Sequence, residues 1–235
     1  MRELDIVYVL KNGWKTAPQE LRYSLRTVER NFPHRNVWFY GGQPKGFHPD
    51  GLDAFQQEGK DRYEKVRNTI ARACRNEDLT EDFWLFNDDF FVLQPIEEEF
   101  CYDQGTIRQH VARLYRTHGF HSHYAKGLEK AENALVTAGK PTKDYTVHLP
   151  MLINREAALE ALEAFSDAVG FRNIYGNYIE ADSTTRRDVK ISDIYGRPDS
   201  SWDFCSTSDG AFASGAAGAV ICRTFPKASR WEIEA

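Results

Sequence analysis

The chain lacks any long apolar run. Nothing in its 235 residues approaches the roughly 20 consecutive apolar residues that a transmembrane helix needs. The apolar stretch near the amino terminus, DIVYVL at residues 5–10, is also too short for the core of a secretory signal. The sequence therefore predicts a protein without a membrane span, and we expect a cytoplasmic location.

Cysteine is scarce, and no C-x-x-C pair occurs. Widely spaced cysteines exclude the common zinc patterns and the thioredoxin-type redox motif. They favour reduced thiols in a reducing compartment over a disulfide framework. The four cysteines are Cys74, Cys101, Cys205 and Cys222.

Several catalytic signatures are also missing. The sequence contains no G-x-G-x-x-G, no P-loop and no G-x-S-x-G motif, which argues against dinucleotide oxidoreductases, P-loop kinases and ordinary hydrolases. The net charge of −5, from 30 basic and 35 acidic residues, argues against a dedicated nucleic-acid-binding protein but not against an enzyme that acts on a polyanion. A content of 41% hydrophobic residues supplies ample material for a folded core.

The first part of the chain has an α/β pattern. Residues 5–10 are β-rich and end in a turn signal, and residues 18–32 repeat apolar side chains at helical spacing. Residues 36–42 form a second β-rich run that closes on two glycines. A strand, a helix and a strand in this order predict a parallel pair with a right-handed crossover. We therefore expect an α/β fold with a mostly parallel central sheet and flanking helices.

Later segments extend this pattern within one domain that spans residues 1–235. Residues 60–75 predict a helix that turns Val66, Ile70 and Ala73 inward, and residues 83–86, FWLF, predict a central strand. Residues 97–143 are polar and histidine-rich, and we expect an insertion or an acceptor-side lobe there. Residues 155–165 predict a helix, and residues 208–220 predict a loop or a loosely packed helix.

Two adjacent acids follow the FWLF strand directly. Asn87, Asp88 and Asp89 lie where the strand ends, and open α/β sheets bind ligands outside the carboxyl ends of their strands. Carboxylate and amide oxygens are ligands that Mg²⁺ and Mn²⁺ prefer, with substrate phosphates completing the shell. The alternative interpretation is an Asx turn or a helix cap at the strand exit.

Histidines and arginines supply further candidates. His148, in YTVHLP, is either a general base for an acceptor hydroxyl or a hydrogen-bonded core histidine. The HGFHSH stretch, with His118, His121 and His123, lacks the ligand spacing of a closed zinc site and predicts a solvated loop. Some arginines are candidate phosphate clamps, although most arginines lie on solvated helix faces. These arginines are Arg22, Arg26, Arg62, Arg67, Arg172, Arg186 and Arg187.

Several segments, in order, resemble the conserved blocks of the Stealth family. This family includes bacterial capsular polysaccharide phosphotransferases and the lysosomal-enzyme N-acetylglucosamine-1-phosphotransferase. The most specific segments are ELRYSLR at 20–26 and NDDFF at 87–91. The others are YTVHLPMLINREA at 145–157, FRNIY at 171–175, FCSTSD at 204–209 and FPKASRWE at 225–232.

The resemblance implies a GT-A-like nucleotide-sugar fold, a divalent cation (Mn²⁺ or Mg²⁺) and a UDP-sugar donor. It implies transfer of a sugar-1-phosphate to a hydroxyl, and we expect this acceptor hydroxyl on a glycan or on modified DNA. The residues that it places in catalysis are His148 as the base, Asp89, and Arg172 as a phosphate contact. The metal and diphosphate site would use Asp88, Asp89 and Asp209. The remaining substrate-binding candidates are Lys11, Asn12, Arg22, Arg26, Asn68, Asn87 and Arg186.

One block departs from the family. The family's first block reads like VVYTWVDGSD, whereas this chain has IVYVLKNGWK, with Lys11 and Asn12 where the block has tryptophan, valine and an acid. Two alternatives therefore stay open beside sugar-1-phosphate transfer. One is a true glycosyltransferase that releases UDP and acts on a hydroxyl such as that of a hydroxymethylated DNA base. The other is a sugar- or nucleotide-binding module without turnover.

Overall fold

The computed structural model of the protein describes residues 1–14, 18–119, 122–166, 168 and 170–233, and it has a mixed α/β fold. Its strands are β1 (Asp5–Leu10), β2 (Val37–Gly41), β3 (Gly51–Ala54), β4 (Asp82–Phe86), β5 (Phe90–Val92), β6 (Tyr102–Asp103), β7 (Met151–Asn154), β8 (Thr184–Thr185), β9 (Lys190–Ile191) and β10 (Phe204–Thr207). Its helices are α1 (Gln19–Asn31), α2 (Arg62–Cys74), α3 (Ile107–His118), α4 (His123–Thr137), α5 (Arg155–Ala164), α6 (Phe171–Tyr178), α7 (Asp209–Ala213) and α8 (Ala216–Thr224).

The central sheet has five strands in the order β3-β2-β1-β4-β7. β1 pairs in parallel with both β2 and β4, β2 pairs in parallel with β3, and β7 adds an antiparallel edge. β1 and β4 are buried along nearly their whole length, as expected for strands covered on both faces. The predicted α/β class, with a mostly parallel sheet and flanking helices, is confirmed.

Alternation along β1 divides the core between the two faces of this sheet. Ile6 and Tyr8 pack with the apolar stripe of α1, which includes Leu25. Val7 faces the other way and packs with Ile70 of α2 and with residues of α4, α5 and α6. None of the helices in the described part of the chain has both the length and the apolar composition that a bilayer crossing requires.

A smaller sheet, in the order β5-β10-β9, adjoins the end of β4. The turn at Asp88 and Asp89 separates β4 from β5, so this turn connects the two sheets. In the small sheet, Ser206 of β10 lies opposite Phe90 on one side and Lys190 on the other. The pairing therefore brings Lys190 close to the turn, although it is about a hundred residues away in sequence.

The structure differs from the sequence-based expectations at Val66 and at residues 208–220. Val66 does not face inward: it is 42% exposed, because this side of α2 borders a cleft. Residues 208–220 do not form a loop or a loose helix, because α7 and α8 meet so closely that a Cβ at Gly218 would collide with α7 backbone. In the 97–143 region, buried Leu128 of α4 joins the main core cluster. His121 of the histidine-rich stretch lies outside the described residues.

A buried ion-pair cluster fixes the end of the described chain to α1. Glu232 is 3% exposed and accepts hydrogen bonds from Arg22 and from Nε of Arg26, the latter at 2.7 Å. Burial opposes the ionisation of Glu232, but hydrogen bonds from Arg26, from the Ser229 backbone and from Arg22 lower its pKa below the usual value. These arginines were expected to bind substrate. The structure instead uses them to neutralise a buried carboxylate.

Glu232→Gln is expected to lower the free energy of unfolding by about 2–4 kcal/mol, since it leaves two partly buried guanidinium groups without their anion. Because the folded-state pKa of Glu232 is depressed, the stabilisation is present at neutral pH and is lost as the pH falls through that pKa. Urea unfolding at neutral and acidic pH measures both effects. Glu98→Gln, at an exposed position, is the control, and coincident curves for the two variants would contradict the expectation.

Candidate active site

A cleft crosses the carboxyl ends of β1 and β4. It has two compartments, of about 610 Å³ and about 300 Å³, which share the lining residues Val9, Arg62, Val66 and Asn87. We call the larger one the charged compartment and the smaller one the aromatic compartment. The position agrees with the rule that open α/β sheets bind ligands beyond the carboxyl ends of their strands.

Acidic and basic side chains face each other across the charged compartment. Its acids are Glu20, Asp88, Asp89 and Asp209, and its bases are Lys11, Arg62, Lys65 and Lys190. They come from α1, α2, α7, β9 and the loops after β1 and β4. A site of this kind binds a charged ligand together with its counter-ions more readily than it binds an apolar ligand.

Asp88 is the free carboxylate of the NDD turn. Among the described residues, no other residue donates a hydrogen bond to its side chain or forms an ion pair with it. Burial raises the pKa of Asp88 to about 6, and the negative charges of Asp89 and Asp209 contribute to the increase. The nearby charge of Lys11 offsets only part of this increase, so an ionised Asp88 lacks a paired cation, and it faces a cavity that a ligand can enter.

Asp89 is already neutralised. Its Oδ2 accepts a hydrogen bond from Nζ of Lys190 at 2.5 Å and from Oγ of Ser206 at 2.9 Å. The same ammonium group also donates to Ser206 and to the carbonyl of Thr207. The two adjacent acids, which the sequence presents as equivalent, therefore have different roles. Asp89 anchors the turn, and Asp88 is available to a ligand.

Glu20 is a site residue that sequence reasoning did not single out, although it lies within the ELRYSLR segment. Its Oε1 accepts a hydrogen bond from Oγ1 of Thr207 at 2.8 Å. Burial raises the pKa of Glu20 to about 7, and the nearby charges of Asp89, Asp88 and Asp209 act in the same direction. Only folding brings this helix residue to the same cavity as the acids of the turn.

The described residues contain no group of three or more histidine, cysteine, aspartate or glutamate side chains placed to hold a metal ion. The donor set nevertheless suits Mg²⁺ or Mn²⁺, because the unpaired Asp88 carboxylate faces the cavity beside other acids. Magnesium is commonly held by one or two carboxylates together with substrate phosphates and water. The site thus fits a cation that enters with a phosphate ligand, and does not present a preformed cage.

The aromatic compartment contains His148. Its Nδ1 lies 2.8 Å from Oδ2 of Asp188, and its backbone N–H donates to Oδ1 of the same carboxylate at 3.0 Å. The pKa of Asp188 is low despite burial, which opposes ionisation, because the hydrogen bonds and charge of His148 favour the carboxylate. Holding Nδ1 leaves Nε2 of His148, whose side chain is 36% exposed, available as a base. This geometry favours the base interpretation over a core histidine.

Arg172 forms part of the wall beside His148. It donates to the carbonyl oxygens of Leu149 and Leu85, and its guanidinium lies over the ring of Phe90, 5.2 Å from the centroid. Burial lowers the pKa of Arg172 to about 10. No carboxylate of the described residues forms an ion pair with it, so its charge is available to an anion.

The structure brings two more predicted residues to the cleft. Lys11 lines the charged compartment, and its ammonium group lies 4.2 Å from the centroid of the Trp14 ring. Asn87 lines both compartments. Lys190 and Asp188 also belong to the site but lack a local sequence signal, because their partners lie 101 and 40 residues away.

Other predicted substrate contacts are not brought to the cleft. Asn12 bridges two loops: its side chain donates to the carbonyl of Phe55 and accepts from the N–H of Gln57, each at 2.8 Å. Asn68 donates to the carbonyl of Glu58. The guanidinium of Arg186 lies over the ring of Tyr102. With Arg22 and Arg26 paired to Glu232, five of the predicted substrate contacts have structural partners instead.

Among solved structures, the chain is similar to two glycosyltransferases and a synthase. It is similar to glycosyltransferase GlyE of Streptococcus pneumoniae (9% identity, TM-score 0.38, 79% of this chain and 45% of that one). It is also similar to galactosyltransferase LgtC in complex with donor and acceptor sugar analogs (11%, 0.38, 74% and 70%). A third similarity is to 4-diphosphocytidyl-2C-methyl-D-erythritol synthase (12%, 0.37, 80% and 90%).

The chain thus spans less than half the length of GlyE. No protein-family model and no curated protein matches the sequence. Since the TM-scores lie below 0.4, the function has to be argued from the geometry of the site.

Asp88→Asn and Asp89→Asn are expected to change stability in opposite directions in metal-free buffer. The folded-state pKa of Asp88 is raised from 3.8 to about 6. The folded protein therefore loses stability as the pH rises through this interval and Asp88 ionises. Asp88→Asn should therefore raise the melting temperature near pH 8 and leave it unchanged near pH 3. Asp89→Asn should lower it, because Lys190 loses its anion.

Thermal unfolding of both variants with EDTA checks the assignment. Each variant is the control for the other, since the two changes are chemically identical and adjacent. Equal shifts of the same sign would show that the two acids are not divided between a free and a paired role.

Proposed function

We propose that the protein is a nucleotide-sugar-dependent transferase, and that it moves a sugar-1-phosphate from a UDP-sugar to an acceptor hydroxyl. One observation carries the proposal: a charged compartment with an unpaired carboxylate opens directly into a compartment that holds a carboxylate-oriented histidine. The first suits a diphosphate with its counter-ions, and the second suits a hydroxyl that must lose a proton.

The donor diphosphate would lie in the charged compartment. Lys11, Arg62 and Lys65 supply positive charge to it, and Lys190 contributes while it remains bound to Asp89. A divalent cation, held by Asp88 and the phosphates, would offset the repulsion between carboxylates and diphosphate and the charge on the departing nucleotide. The resemblance to the Stealth family agrees with this arrangement.

The acceptor hydroxyl would lie in the aromatic compartment against Nε2 of His148. The imidazole takes the hydroxyl proton as the oxygen forms a bond to the sugar-proximal phosphorus, and the bond from this phosphorus to the oxygen of UMP breaks. Asp188 stabilises the resulting imidazolium, to which it is hydrogen bonded. Arg172, which lines this compartment and forms no ion pair within the described residues, would stabilise the transferring phosphoryl group.

A second candidate keeps the donor and the base but attacks the anomeric carbon and releases UDP. It is favoured by the loop after β1, where Asn12 connects two loops and does not face the donor compartment. This edge of the site is therefore built differently from the family pattern. Incubation with UDP-glucose or UDP-N-acetylglucosamine, Mn²⁺ and a glycan or hydroxymethylated-DNA acceptor separates the two. UMP supports sugar-1-phosphate transfer, and UDP supports glycosyl transfer.

His148→Gln is expected to lower kcat by about 10²–10⁴-fold, the usual contribution of a general base. Asp188→Asn should also lower kcat and should shift the acidic limb of the pH–rate profile, since it removes the carboxylate that stabilises the imidazolium. Nucleotide release under saturating donor measures both. His34→Gln is the control, because His34 is a half-buried histidine that is hydrogen bonded to the carbonyl of Phe32 and does not line the cleft. Equal losses in all three variants would indicate damage to the fold.

Mn²⁺ added with UDP is expected to raise the melting temperature of the wild-type protein, because a ligand that binds only the folded state stabilises it. Asp88→Asn should remove most of this increase, while Glu98→Gln should keep it. Thermal unfolding provides this test without any need for turnover. An undiminished increase in Asp88→Asn would exclude Asp88 as the cation ligand.

A further inference from the structure

The aromatic compartment is rich in rings. The stacked rings of Tyr63 and Tyr124 have centroids 5.7 Å apart and an interplanar angle of 12°. Phe90 and Phe171 line the same compartment, and Val9, Val66, Ile70, Leu85 and Val147 supply most of its other apolar surface. These walls are suited to flat apolar faces, which stack on aromatic side chains.

Most polar side chains of this compartment already have partners within the protein. The hydroxyl of Thr146 donates to Oδ1 of Asp144 at 2.6 Å. The guanidinium of Arg172 donates to backbone carbonyls. Arg62 donates to the hydroxyl of Tyr63. These hydrogen bonds stabilise the wall and reduce the number of donors that an uncharged acceptor could use, while the charges of Arg172 and Arg62 still act on nearby phosphates.

Few polar groups remain for an acceptor. They are Nε2 of His148, the side-chain amide of Asn87, which has no partner among the described residues, the other N–H groups of Arg62 and the hydroxyl hydrogen of Tyr63. A pyranose carries several hydroxyls, and each hydroxyl buried without a partner costs binding free energy. A ring with a single hydroxymethyl group and a few polar edge atoms needs no more partners than the compartment offers.

We infer that the acceptor hydroxyl is carried by a planar heteroaromatic ring of the nucleobase type, and not by a polyhydroxylated sugar. The inference rests on the proposed function, since it assigns the acceptor class of the same site. The ring stacks against the aromatic wall, its edge pairs with Asn87, and its hydroxymethyl oxygen meets Nε2 of His148. A volume of about 300 Å³ accommodates one such ring.

Binding comes first in the test, because it does not depend on turnover. Saturation-transfer NMR and calorimetry compare hydroxymethyl-deoxycytidine with methyl glucoside and methyl N-acetylglucosaminide, in the presence of UDP and Mn²⁺. The nucleoside is expected to bind at least about tenfold more tightly, as one base–aromatic stack provides. Equal or tighter binding of either glycoside would overturn the inference.

Variants then test the stacking itself. Tyr124→Leu is expected to weaken nucleoside binding about tenfold, whereas Tyr124→Phe, which keeps the ring, should stay within about twofold. Tyr195→Leu is the control for loss of a tyrosine, because Tyr195 is 82% exposed and does not line the cleft. Unchanged nucleoside binding in Tyr124→Leu would contradict a stacked ring.

Nucleotide release separates this inference from the proposed function. Release of UMP or UDP with a glycoside acceptor, but none above background with the nucleoside, would keep the proposed function and overturn the inference. Selective nucleoside binding without nucleotide release from any donor would overturn the proposed function and support the ring-binding compartment.

Discussion

The ion pair between Lys190 and Asp89 is the contact on which the arrangement of the cleft depends. It joins β9 to the turn at the end of β4, and its ammonium group also binds Ser206 and Thr207 of β10. One cation thus connects the central sheet to the small sheet at the place where the cleft opens. Breaking such a partly buried pair costs several kcal/mol, because the remaining charge has no partner. The pair thus fixes the turn in which the unpaired Asp88 lines the charged compartment.

Ionised carboxylates in the charged compartment lower the free energy of unfolding of the protein. Burial and mutual repulsion raise the pKa values of Asp88 and Glu20, so ionisation of these groups opposes folding near neutral pH. Strongly shifted carboxyl groups that converge on a cleft are characteristic of functional sites. A divalent cation bound there would supply the counter-charge that these carboxylates lack, and the same cation would attract the phosphates of a ligand.

The division of the cleft also explains features that the fold alone leaves unaccounted for. Val66 is an apolar residue exposed on a helix, and it lies where the two compartments meet. Asp188 is a partly buried acid that forms no ion pair with a lysine or arginine side chain among the described residues, and it uses both oxygens to hold His148. The histidine is thus oriented by a segment that follows it by 40 residues, and its Nε2 remains available to the aromatic compartment.

Local patterns in the sequence were sufficient for β1, β2 and β4 of the central sheet, whereas the edge strands β3 and β7 were not predicted. The β-rich runs at 5–10 and 83–86 and the apolar stripe of α1 depend on alternation and helical spacing, which are properties of neighbouring residues. The position of the NDD turn follows in the same way, since it lies at the end of a buried strand. The packed helices α7 and α8 were not predicted. Small residues such as Gly218 are needed there because the two helices are in close contact, and this contact exists only in the folded protein.

The sequence by itself determined the α/β class, the strand that ends in two acids, and the candidate histidine. Tertiary structure alone decided which acid is free, because Lys190 reaches Asp89 across 101 residues. It also decided that Arg26 pairs with Glu232, 206 residues away. The physical reason is that propensity and periodicity act between near neighbours, whereas charges pair with whichever partner the completed fold places within hydrogen-bonding distance.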